Sequence, residues 1–488
     1  MMTLAKCPLC LQTFEDMTEE GFENHKKFCR EREFEEIRHR QEVADTLNQF
    51  RPMTLKEASE TLGVTVKRDQ VTKTFLLAGM LLTYTEQEQL NILMAAESSA
   101  GKSYLPLEIA AYFPSEDVQE LGSASPTSFF HEVAGSELAE WDAEHKIAKV
   151  HLENKIMIFL DQPHDQLLQK LRAFLSHDKK EIRYKHTDRS QKSGLRTRTV
   201  ILIGFPTWIF CTAAFNLDQQ ERTRNLQLSP ETSPDKVKEA QRLLLRKKSN
   251  RDAFRDFLQE DPKRQELRER ILGLKDAKIR DVVIPDTLTT EIERHWEEKH
   301  TISIPRHVRD LDRFLSLVKA RALLNYGARK QIENNRIEAT LDDLEEVIEL
   351  YGQIAQANEL GIAPQVYEIF AEVFCKFPNG ADKRDILKEY FAVFHRPLSQ
   401  KRLEKEVLPA LEASGLVDEA PDPSDKRRIT YYPHPLGYIS SPETENKQNT
   451  PEGGGRVQDE TLEAVPLLHP QVKRTSDIDA IMRGDNSN

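Results

Sequence analysis

Short apolar runs alternate with helical periodicity between residues 91 and 229. The runs cover residues 91–95, 155–160, 199–203 and 208–211. Apolar runs of about four to eight residues predict buried strands, and strands that alternate with amphipathic helices are typical of parallel sheets. The pattern therefore predicts an α/β fold with an αβα core in this part of the chain.

The flanking segments have a predominantly helical pattern. Helices are predicted at residues 31–49 and 69–90, a charged helical lid at 234–353, and three helices followed by a short strand between 366 and 432. Residues 361–364 are predicted to be a linker, and the polar composition of the tail predicts disorder. The expected domains are therefore 1–45, 46–232, 233–360, 361–436 and 437–488.

Composition and charge narrow the class of protein. Of the 488 residues, 38% are hydrophobic and 31% charged, which excludes collagen-like, low-complexity and disulfide-scaffold proteins. No uninterrupted apolar stretch is long enough for a membrane span, and the amino terminus lacks an apolar signal core. Together with five cysteines, which cannot all pair, this predicts a reducing, cytoplasmic location without a membrane partner. A net charge of −12 confines any nucleic-acid contact to a local patch.

Cys7, Cys10, His25 and Cys29 have the spacing of a structural zinc site. Two residues separate the first pair, fourteen precede His25, and three separate His25 from Cys29. Thiolates and a neutral imidazole are the ligands of tetrahedral Zn²⁺, and four of them leave no open position for a substrate. The spacing predicts a small zinc finger; the alternative is a chance grouping of reduced cysteines.

Residues 96–103 fit the phosphate-binding pattern G-x-x-x-x-G-K-[ST], except that Ala replaces the first Gly. The segment comprises Ala96, Glu97, Ser98, Ser99, Ala100, Gly101, Lys102 and Ser103. It follows an apolar run and precedes a helical one, which is the strand-loop-helix context that the motif requires. Small residues let backbone N–H groups approach phosphate, Lys102 supplies a cation, and the Ser103 hydroxyl can bind Mg²⁺. The segment predicts nucleotide binding, with an ordinary loop as the alternative.

A second apolar run, residues 155–160, ends at Asp161 and Gln162. An acid at the end of a buried strand is typical of a Walker B element, whose Asp holds Mg²⁺. The run follows residues 96–103, here called the phosphate loop, at a distance that leaves room for another strand and helix. A buried parallel strand with a polar end is the alternative interpretation.

Residues 179–198 carry a charge of +6, because eight Lys or Arg residues stand against two acids. The segment predicts two strands around a turn at residues 189–194. Concentrated cations indicate phosphate neutralisation, so DNA contacts are predicted for Lys185, Arg189, Lys192 and Arg196. A solvated basic hairpin is the alternative.

The order of these motifs resembles that of AAA+ ATPases, specifically the minichromosome-maintenance-like and superfamily 3 helicase branch. The resemblance covers about residues 69–432. It implies a homo-oligomeric ring, expected to be a hexamer, with ATP between subunits and a basic hairpin that grips nucleic acid in the central pore. Relatives usually place Glu after the Walker B Asp, so Gln162 departs from the family. A neutral amide cannot act as a general base, although it can orient water; Glu97 and Asp165 are the nearby carboxylates.

The resemblance also implies roles for residues after the hairpin. Thr212, or alternatively Asn216, would be the sensor 1 group that faces the γ-phosphate. Arg224, or alternatively Arg222, would be the arginine finger given to a neighbouring subunit, and Arg306 would be the sensor 2 arginine of the lid. A surface ion pair with Glu221 or Asp218 is the alternative for Arg224 and Arg222.

Residues 366–432 resemble a winged helix whose third helix carries Lys401, Arg402 and Lys405. The resemblance implies that these cations face DNA, with the helix in a major groove, and a protein-contact module is the alternative. The preferred hypothesis is an ATP-dependent, ring-forming DNA motor of the replicative helicase type. The alternatives are a slowly hydrolysing replication initiator or helicase loader, and a DNA-binding regulator with a degenerate ATPase domain. The finger and the tail are candidate contact sites for other replication proteins.

Overall fold

The computed structural model describes residues 4–6, 13–15, 19–122, 130, 138–142, 147–188, 196–213, 223–300, 304–422 and 427–434. All of these belong to a compact unit, Met1–Tyr438. A second unit, Ile439–Asn488, lies outside the described residues, as does the predicted disorder of the tail.

The strands are numbered in chain order. They are β1 (Leu4–Lys6), β2 (Thr13–Glu15), β3 (Ile92–Ala95), β4 (Val118–Leu121), β5 (Ala139–Asp142), β6 (Ile147–His151), β7 (Ile156–Phe159), β8 (Glu181–Asp188), β9 (Arg196–Ile203), β10 (Thr207–Thr212), β11 (Leu226–Leu228), β12 (Asp281–Val283), β13 (Gln331–Ile332), β14 (Arg336–Glu338), β15 (Val417–Pro421) and β16 (Ile429–Pro433).

The helices are numbered in the same way. They are α1 (Glu19–Leu47), α2 (Leu55–Leu62), α3 (Gln70–Leu81), α4 (Tyr104–Ala110), α5 (Asp165–Leu175), α6 (Pro234–Ser249), α7 (Arg251–Glu260), α8 (Pro262–Ala277), α9 (Asp286–Lys299), α10 (His307–Leu324), α11 (Leu341–Leu360), α12 (Pro364–Glu372), α13 (Lys383–Phe394) and α14, which runs from Gln400–Arg402 through the π-helical Leu403–Val407 to Leu408–Ala413. Pro409 lacks an N–H donor, which accounts for the irregular turn in α14.

Five parallel strands form the central sheet, in the order β11, β3, β10, β7, β4. Alternate side chains of β3, β7 and β10 enter two separate apolar clusters, one on each face of the sheet. On β10, for example, Ile209 and Cys211 belong to one cluster, whereas Trp208 and Phe210 belong to the other. A parallel sheet buried on both faces has this pattern. The predicted α/β class with a parallel central sheet is confirmed.

One face of the sheet packs against α3, α4 and the helices of the lid, and the other against α5 and a second sheet. The second sheet has the order β5, β6, β9, β8, and β8 and β9 form an antiparallel hairpin directly before β10. Helix α4 and strand β4 lie between the phosphate loop and β7, so the intervening strand and helix that the sequence spacing predicts are present.

The region predicted as a purely helical lid also contains a small sheet, in the order β12, β14, β13. The helices α6–α11 agree with the prediction, whereas these strands were not predicted because each has only two or three residues, too few to show an apolar alternation. In the loop between β13 and β14, Asn334 and Asn335 have φ of 61° and 55°. Asn tolerates this left-handed conformation better than most residues. The helices α6, α7 and α8 begin at the side-chain caps Ser233, Asn250 and Asp261.

Residues 364–434, here called the C-terminal domain, comprise α12, α13, α14 and the β15–β16 hairpin. The three helices and the last strand agree with the sequence prediction, whereas β15 was not predicted. Ala381 forms a bridge to Tyr431, which ties the start of the second helix to the hairpin. The winged-helix assignment stays a prediction.

The predicted linker at 361–364 is short and partly buried. Helix α11 ends at Leu360, α12 begins at Pro364, and Ile362 and Ala363 are buried in the apolar cluster of the C-terminal domain. The domain is therefore packed onto the rest of the compact unit. Within the described part of the chain, no helix has the length and apolar character needed to cross a membrane.

Candidate nucleotide-binding site

Three chain segments with polar side chains meet at one edge of the central sheet. The phosphate loop follows β3, Asp161 and Gln162 follow β7, and Thr212 ends β10. Because β10 lies between β3 and β7 and all three are parallel, their carboxyl ends adjoin. This edge is where open α/β sheets bind ligands.

The backbone of the phosphate loop has the conformation that its small residues allow. Ser99 and Gly101 have φ of +67° and +94°, and a Cβ on Gly101 would lie 3.3 Å from Leu105 Cδ1. Ala96 is buried, does not have a positive φ, and its N–H donates to the Thr212 carbonyl at 3.1 Å. Ala in place of the first Gly therefore costs no backbone strain.

Oxygen atoms suited to Mg²⁺ lie next to the loop. The Ser103 hydroxyl donates to the Leu160 carbonyl at 3.2 Å, which brings it beside Asp161, the next residue. Asp161 is exposed, and its Oδ1 accepts the Gln162 N–H at 2.9 Å. Hydroxyl and carboxylate oxygens are the ligands that Mg²⁺ prefers, so this pair fits the cation.

Thr212 and Gln162 form a hydrogen-bonded pair at the same edge. The Thr212 hydroxyl is buried and donates to Gln162 Oε1 at 2.7 Å. The amide oxygen of Gln162 is thus directed to Thr212, which leaves its NH₂ group as the donor for a bound water or phosphate. The geometry suits orientation of a water molecule and not removal of its proton.

Cys211 on β10 contacts the backbone of the phosphate loop. Burial raises the pKa of its thiol to about 12, so the thiol stays protonated and donates to the Lys102 carbonyl at 3.3 Å. The side chain of Lys102 is only partly buried. The backbone at Lys102 is therefore held by β10, while its ammonium group stays within reach of solvent or a ligand.

A cavity of about 690 Å³ adjoins the loop. Its walls include the loop backbone together with Val66, Tyr104, Leu105, Val237 and Leu244. The volume lies within the range of about 300–1,000 Å³ that is typical of small-molecule sites. An apolar cavity beside a loop with the phosphate-binding pattern has the character that the base and sugar of a nucleotide require.

A buried ion pair lines the cavity on the side of the lid. Lys236 on α6 pairs with Asp69 and also donates to the Ala100 carbonyl at 3.5 Å. Asp69 has φ of 52° and accepts the Glu231 N–H at 2.5 Å. Burial raises the pKa of Asp69, and the charge of Lys236 opposes that shift. The pair, which sequence analysis missed, ties helix α6 to the phosphate loop.

Two arginines of the C-terminal domain reach the phosphate loop. Arg396 and Arg402 both form ion pairs with the carboxylate of Glu97. Sequence analysis placed Arg402 among the DNA-facing cations of the third helix, but in the structure it is turned inward, whereas Lys401 and Lys405 are exposed. No local signal predicts this contact, because Glu97 and Arg402 are 305 residues apart.

Arg224, the predicted arginine finger, and Arg306, the predicted sensor 2 arginine, lie on neighbouring segments. Arg224 Nε donates to Ser176 Oγ at 2.8 Å. Arg306 Nε donates to Asp310 Oδ2 at 3.2 Å, and the same guanidinium donates to the Asn358 carbonyl. The first turns of α10 contact Thr223, which precedes Arg224, through Arg309 at 3.0 Å and through Arg313. Asn216 and Arg222, the alternatives, lie outside the described residues.

Four cations of the β8–β9 hairpin were predicted to contact DNA. Lys185 is exposed on β8, on the same face as Arg183, whereas Tyr184 packs inward against Phe130 at 4.3 Å between ring centroids. Arg189, Lys192 and the side chain of Arg196 lie outside the described residues. The hairpin base leads directly into β10, since β9 ends at Ile203 and β10 begins at Thr207.

The predicted zinc site is only partly described. His25 and Cys29 lie one turn apart on α1, with 3.3 Å between Nε2 and Sγ, and Cys7 and Cys10 lie outside the described residues. Helix α1 begins earlier than the residue-31 start predicted, and this extension carries both side chains. In the described ranges, no group of three or more His, Cys, Asp or Glu side chains is arranged to hold a metal ion. Zinc binding therefore stays a prediction.

No protein-family model and no curated protein sequence matches the chain. Among the solved structures that resemble the chain are the following two, and the likeness of each is weak. The first is a full-length MCM homologue from Methanopyrus kandleri, with a TM-score of 0.35, 13% identity, and coverage of 65% of this chain and 60% of that chain. The second is the apo C-terminal region of NrS-1, with a TM-score of 0.24, 10% identity, and coverage of 79% and 78%. The chain thus spans 60% of the length of the MCM homologue, and TM-scores this low do not establish a shared fold.

Proposed function

We propose that this protein binds and hydrolyses ATP as a ring-forming motor on DNA, of the replicative helicase type. One observation carries the proposal: the phosphate loop, Asp161 and Thr212 meet at one edge of a parallel sheet, beside a cavity of about 690 Å³. Nucleoside triphosphate hydrolysis needs a phosphate cradle, a magnesium ligand and a group that orients water, and each has a candidate here.

Each residue at this edge has a distinct role in the proposal. Lys102 pairs with the phosphates, and Ser103 and Asp161 hold Mg²⁺, which when bound neutralises phosphate charge. Thr212 fixes the amide of Gln162, and that amide orients the attacking water. Arg224 and Arg306 of one subunit act on the nucleotide of the next, which the adjacency of their segments supports.

The β8–β9 hairpin is the proposed DNA-gripping element. Its exposed cations support phosphate contact, and its direct continuation into β10 links it to Thr212 at the nucleotide edge. A change at the triphosphate thus has a short covalent path to the hairpin. The proposal also includes Zn²⁺ held by Cys7, Cys10, His25 and Cys29, which metal analysis of the purified protein tests.

The test is a comparison of the wild-type protein with the Lys102→Ala variant. We expect the wild type to bind ATP in calorimetry, to release phosphate faster when single-stranded DNA is added, and to unwind a forked duplex. A wild-type protein that binds no ATP and behaves like the variant would refute the proposal.

A slowly hydrolysing initiator or loader is the second candidate, and the Thr212–Gln162 hydrogen bond favours it, because an amide does not accept the proton of water. Such a protein would bind ATP and DNA but would not unwind the forked duplex. Unwinding therefore discriminates between the two candidates.

A further inference from the structure

The C-terminal domain packs directly on the strand that leads into the phosphate loop. Ala95, the last residue of β3, is a member of the apolar cluster that otherwise consists mainly of C-terminal-domain residues such as Val366 and Phe370. The Ser229 hydroxyl donates to the Ala95 carbonyl at 2.8 Å and accepts the Gln365 N–H at 3.3 Å. The base of the loop and the start of α12 are therefore one packed unit.

Two arginines extend this contact into the loop itself. The side chains of Arg396, Arg402 and Glu97 are 22%, 15% and 28% exposed, so the ion pairs are largely shielded from water. Arg396 also lines the cavity beside the loop, together with Glu97. Its guanidinium lies 5.7 Å and 5.8 Å from the ring centroids of Tyr390 and Phe394, which hold it toward the loop.

Among the described residues, the charges of this cluster are balanced. Arg402 also pairs with Glu406 at 3.3 Å, so two guanidinium groups face two carboxylates. Burial lowers the pKa of both arginines, yet a guanidinium stays charged at neutral pH. Without the arginines, Glu97 would present an uncompensated negative charge in the loop that receives the phosphates, and like charges at short range in a shielded site repel strongly.

We propose that the C-terminal domain is part of the nucleotide site: Arg396 and Arg402 neutralise Glu97, so that the phosphate loop accepts a nucleoside triphosphate. The inference rests on the proposed nucleotide site. Nucleotide binding and docking of the C-terminal domain then stabilise each other, because linkage between two equilibria is reciprocal. The third helix of this domain thereby serves the ATPase site through Arg402, while Lys401 and Lys405 stay exposed for another partner.

The test measures the affinity for ATP and ADP with Mg²⁺ by calorimetry. In the double variant Arg396→Met with Arg402→Met, Glu97 is left unpaired, so ATP affinity should fall about tenfold or more. ADP affinity should fall less, because ADP carries less charge. Arg384→Met, which removes an exposed arginine of the same domain, is the matched control and should bind ATP as the wild type does.

A rescue separates this role from a structural one. Adding Glu97→Gln to the double variant removes the unpaired charge of the phosphate loop and leaves only that of Glu406 on α14, so ATP affinity should return to within about threefold of the wild type, whereas a misfolded domain would not recover. Thermal unfolding followed by circular dichroism checks the fold of each variant. In hydrogen exchange, ATP should also slow the amides of residues 396–413 in the wild type and have less effect in the double variant.

The outcomes are distinct. Unchanged ATP affinity in the double variant, or failure of Glu97→Gln to restore it, overturns this inference while the proposed function stands. Absence of ATP binding by the wild type refutes the proposed function. Loss in the double variant with recovery in the triple variant supports both.

Discussion

The β8–β9 hairpin and the C-terminal domain both carry cations that suggest DNA contacts, but their surroundings differ. Arg183 and Lys185 are exposed on the outer face of β8. Arg396 and Arg402 are shielded from water and share the carboxylate of Glu97. Clustered cations in a sequence can therefore have two kinds of partner: a phosphate of another molecule or a carboxylate of the same chain.

The exposure of a cationic side chain decides which of these two partners it has. An exposed Lys or Arg is solvated and free to exchange its counterions for DNA phosphates, which contributes to affinity through ion release. A shielded guanidinium requires a partner inside the protein, because an unpaired buried charge is costly. The hairpin is thus the candidate DNA-binding surface, and the arginines of the C-terminal domain are candidate components of the nucleotide site.

The largest expected effect is at the phosphate loop, which the C-terminal domain contacts directly and to which the hairpin is connected through β10. Lys102→Ala removes the cation predicted to face the phosphates, so the rate of phosphate release should fall by about 10²-fold or more. A phosphate-release assay with and without DNA measures this. Lys388→Ala, an exposed lysine of the C-terminal domain, is the control and should retain the wild-type rate. Equal rates in Lys102→Ala and Lys388→Ala would contradict the assignment of Lys102 to a phosphate-binding site.

The second largest effect is expected at Gln162, whose amide oxygen accepts a hydrogen bond from Thr212. Gln162→Glu introduces a carboxylate where we propose that an amide orients water, and a positioned general base contributes about 10²-fold or more. We therefore expect faster phosphate release at neutral pH, with ATP affinity little changed. Gln166→Glu, an exposed change in the first turn of α5, adds the same charge without replacing the amide that pairs with Thr212, and is the control. No gain in Gln162→Glu would favour a site built to bind ATP without rapid turnover.

The third prediction compares the two cationic regions directly. A hairpin variant with alanine at four positions should lose affinity for single-stranded DNA, and its dependence on log salt should weaken by about 0.7 per lost contact. The replaced residues are Lys185, Arg189, Lys192 and Arg196. Arg402→Met, measured without nucleotide, should keep both the affinity and the salt dependence of the wild type. Fluorescence anisotropy across a salt series measures both quantities.

A charge-matched control accompanies the hairpin variant. It replaces four exposed cations of the lid, namely Lys238, Arg251, Arg255 and Lys263. The control should bind DNA as the wild type does, because its charges lie away from the hairpin. If it loses as much affinity as the hairpin variant, binding depends on net charge and the comparison between the regions fails.

The smallest effect is expected at an ordinary helix cap on α2, which serves as a reference for the effect of the shielded arginines. Glu57 pairs with Arg51 and accepts the Thr54 N–H at the start of α2, and these contacts lower its pKa to about 2. Its stabilising contribution is complete above the usual carboxyl pKa and is lost as the pH falls through about 2. Glu57→Gln should therefore lower the free energy of unfolding by about 1 kcal/mol at pH 7.

The pH dependence is the check on that prediction. Denaturant unfolding should show the difference between Glu57→Gln and the wild type shrinking toward zero as the pH approaches 2. Glu60→Gln, an exposed position on the same helix, is the control and should change the free energy of unfolding by less than about 0.5 kcal/mol. If the difference in the free energy of unfolding persists near pH 2, the packing of the Glu57 side chain, and not its charge, accounts for its stabilising effect.

Much of the core was predictable because each signal is local. The apolar runs at 91–95, 155–160 and 208–211 correspond to β3, β7 and β10, since a buried parallel strand is a contiguous apolar segment. Strand β4 gave no such signal, because it lies at the sheet edge and is only partly buried. Helix α2 was missed because its pattern covers only two turns.

The sequence by itself determined the phosphate loop, the polar residues at the strand ends and the basic hairpin, because each is a short segment whose chemistry is complete in its own residues. Only the tertiary structure decided that Arg396 and Arg402 meet Glu97, and that Lys236 meets Asp69. Long-range ion pairs have no sequence period, and a charge finds its partner only when packing of the apolar faces brings distant segments together and removes the water between them.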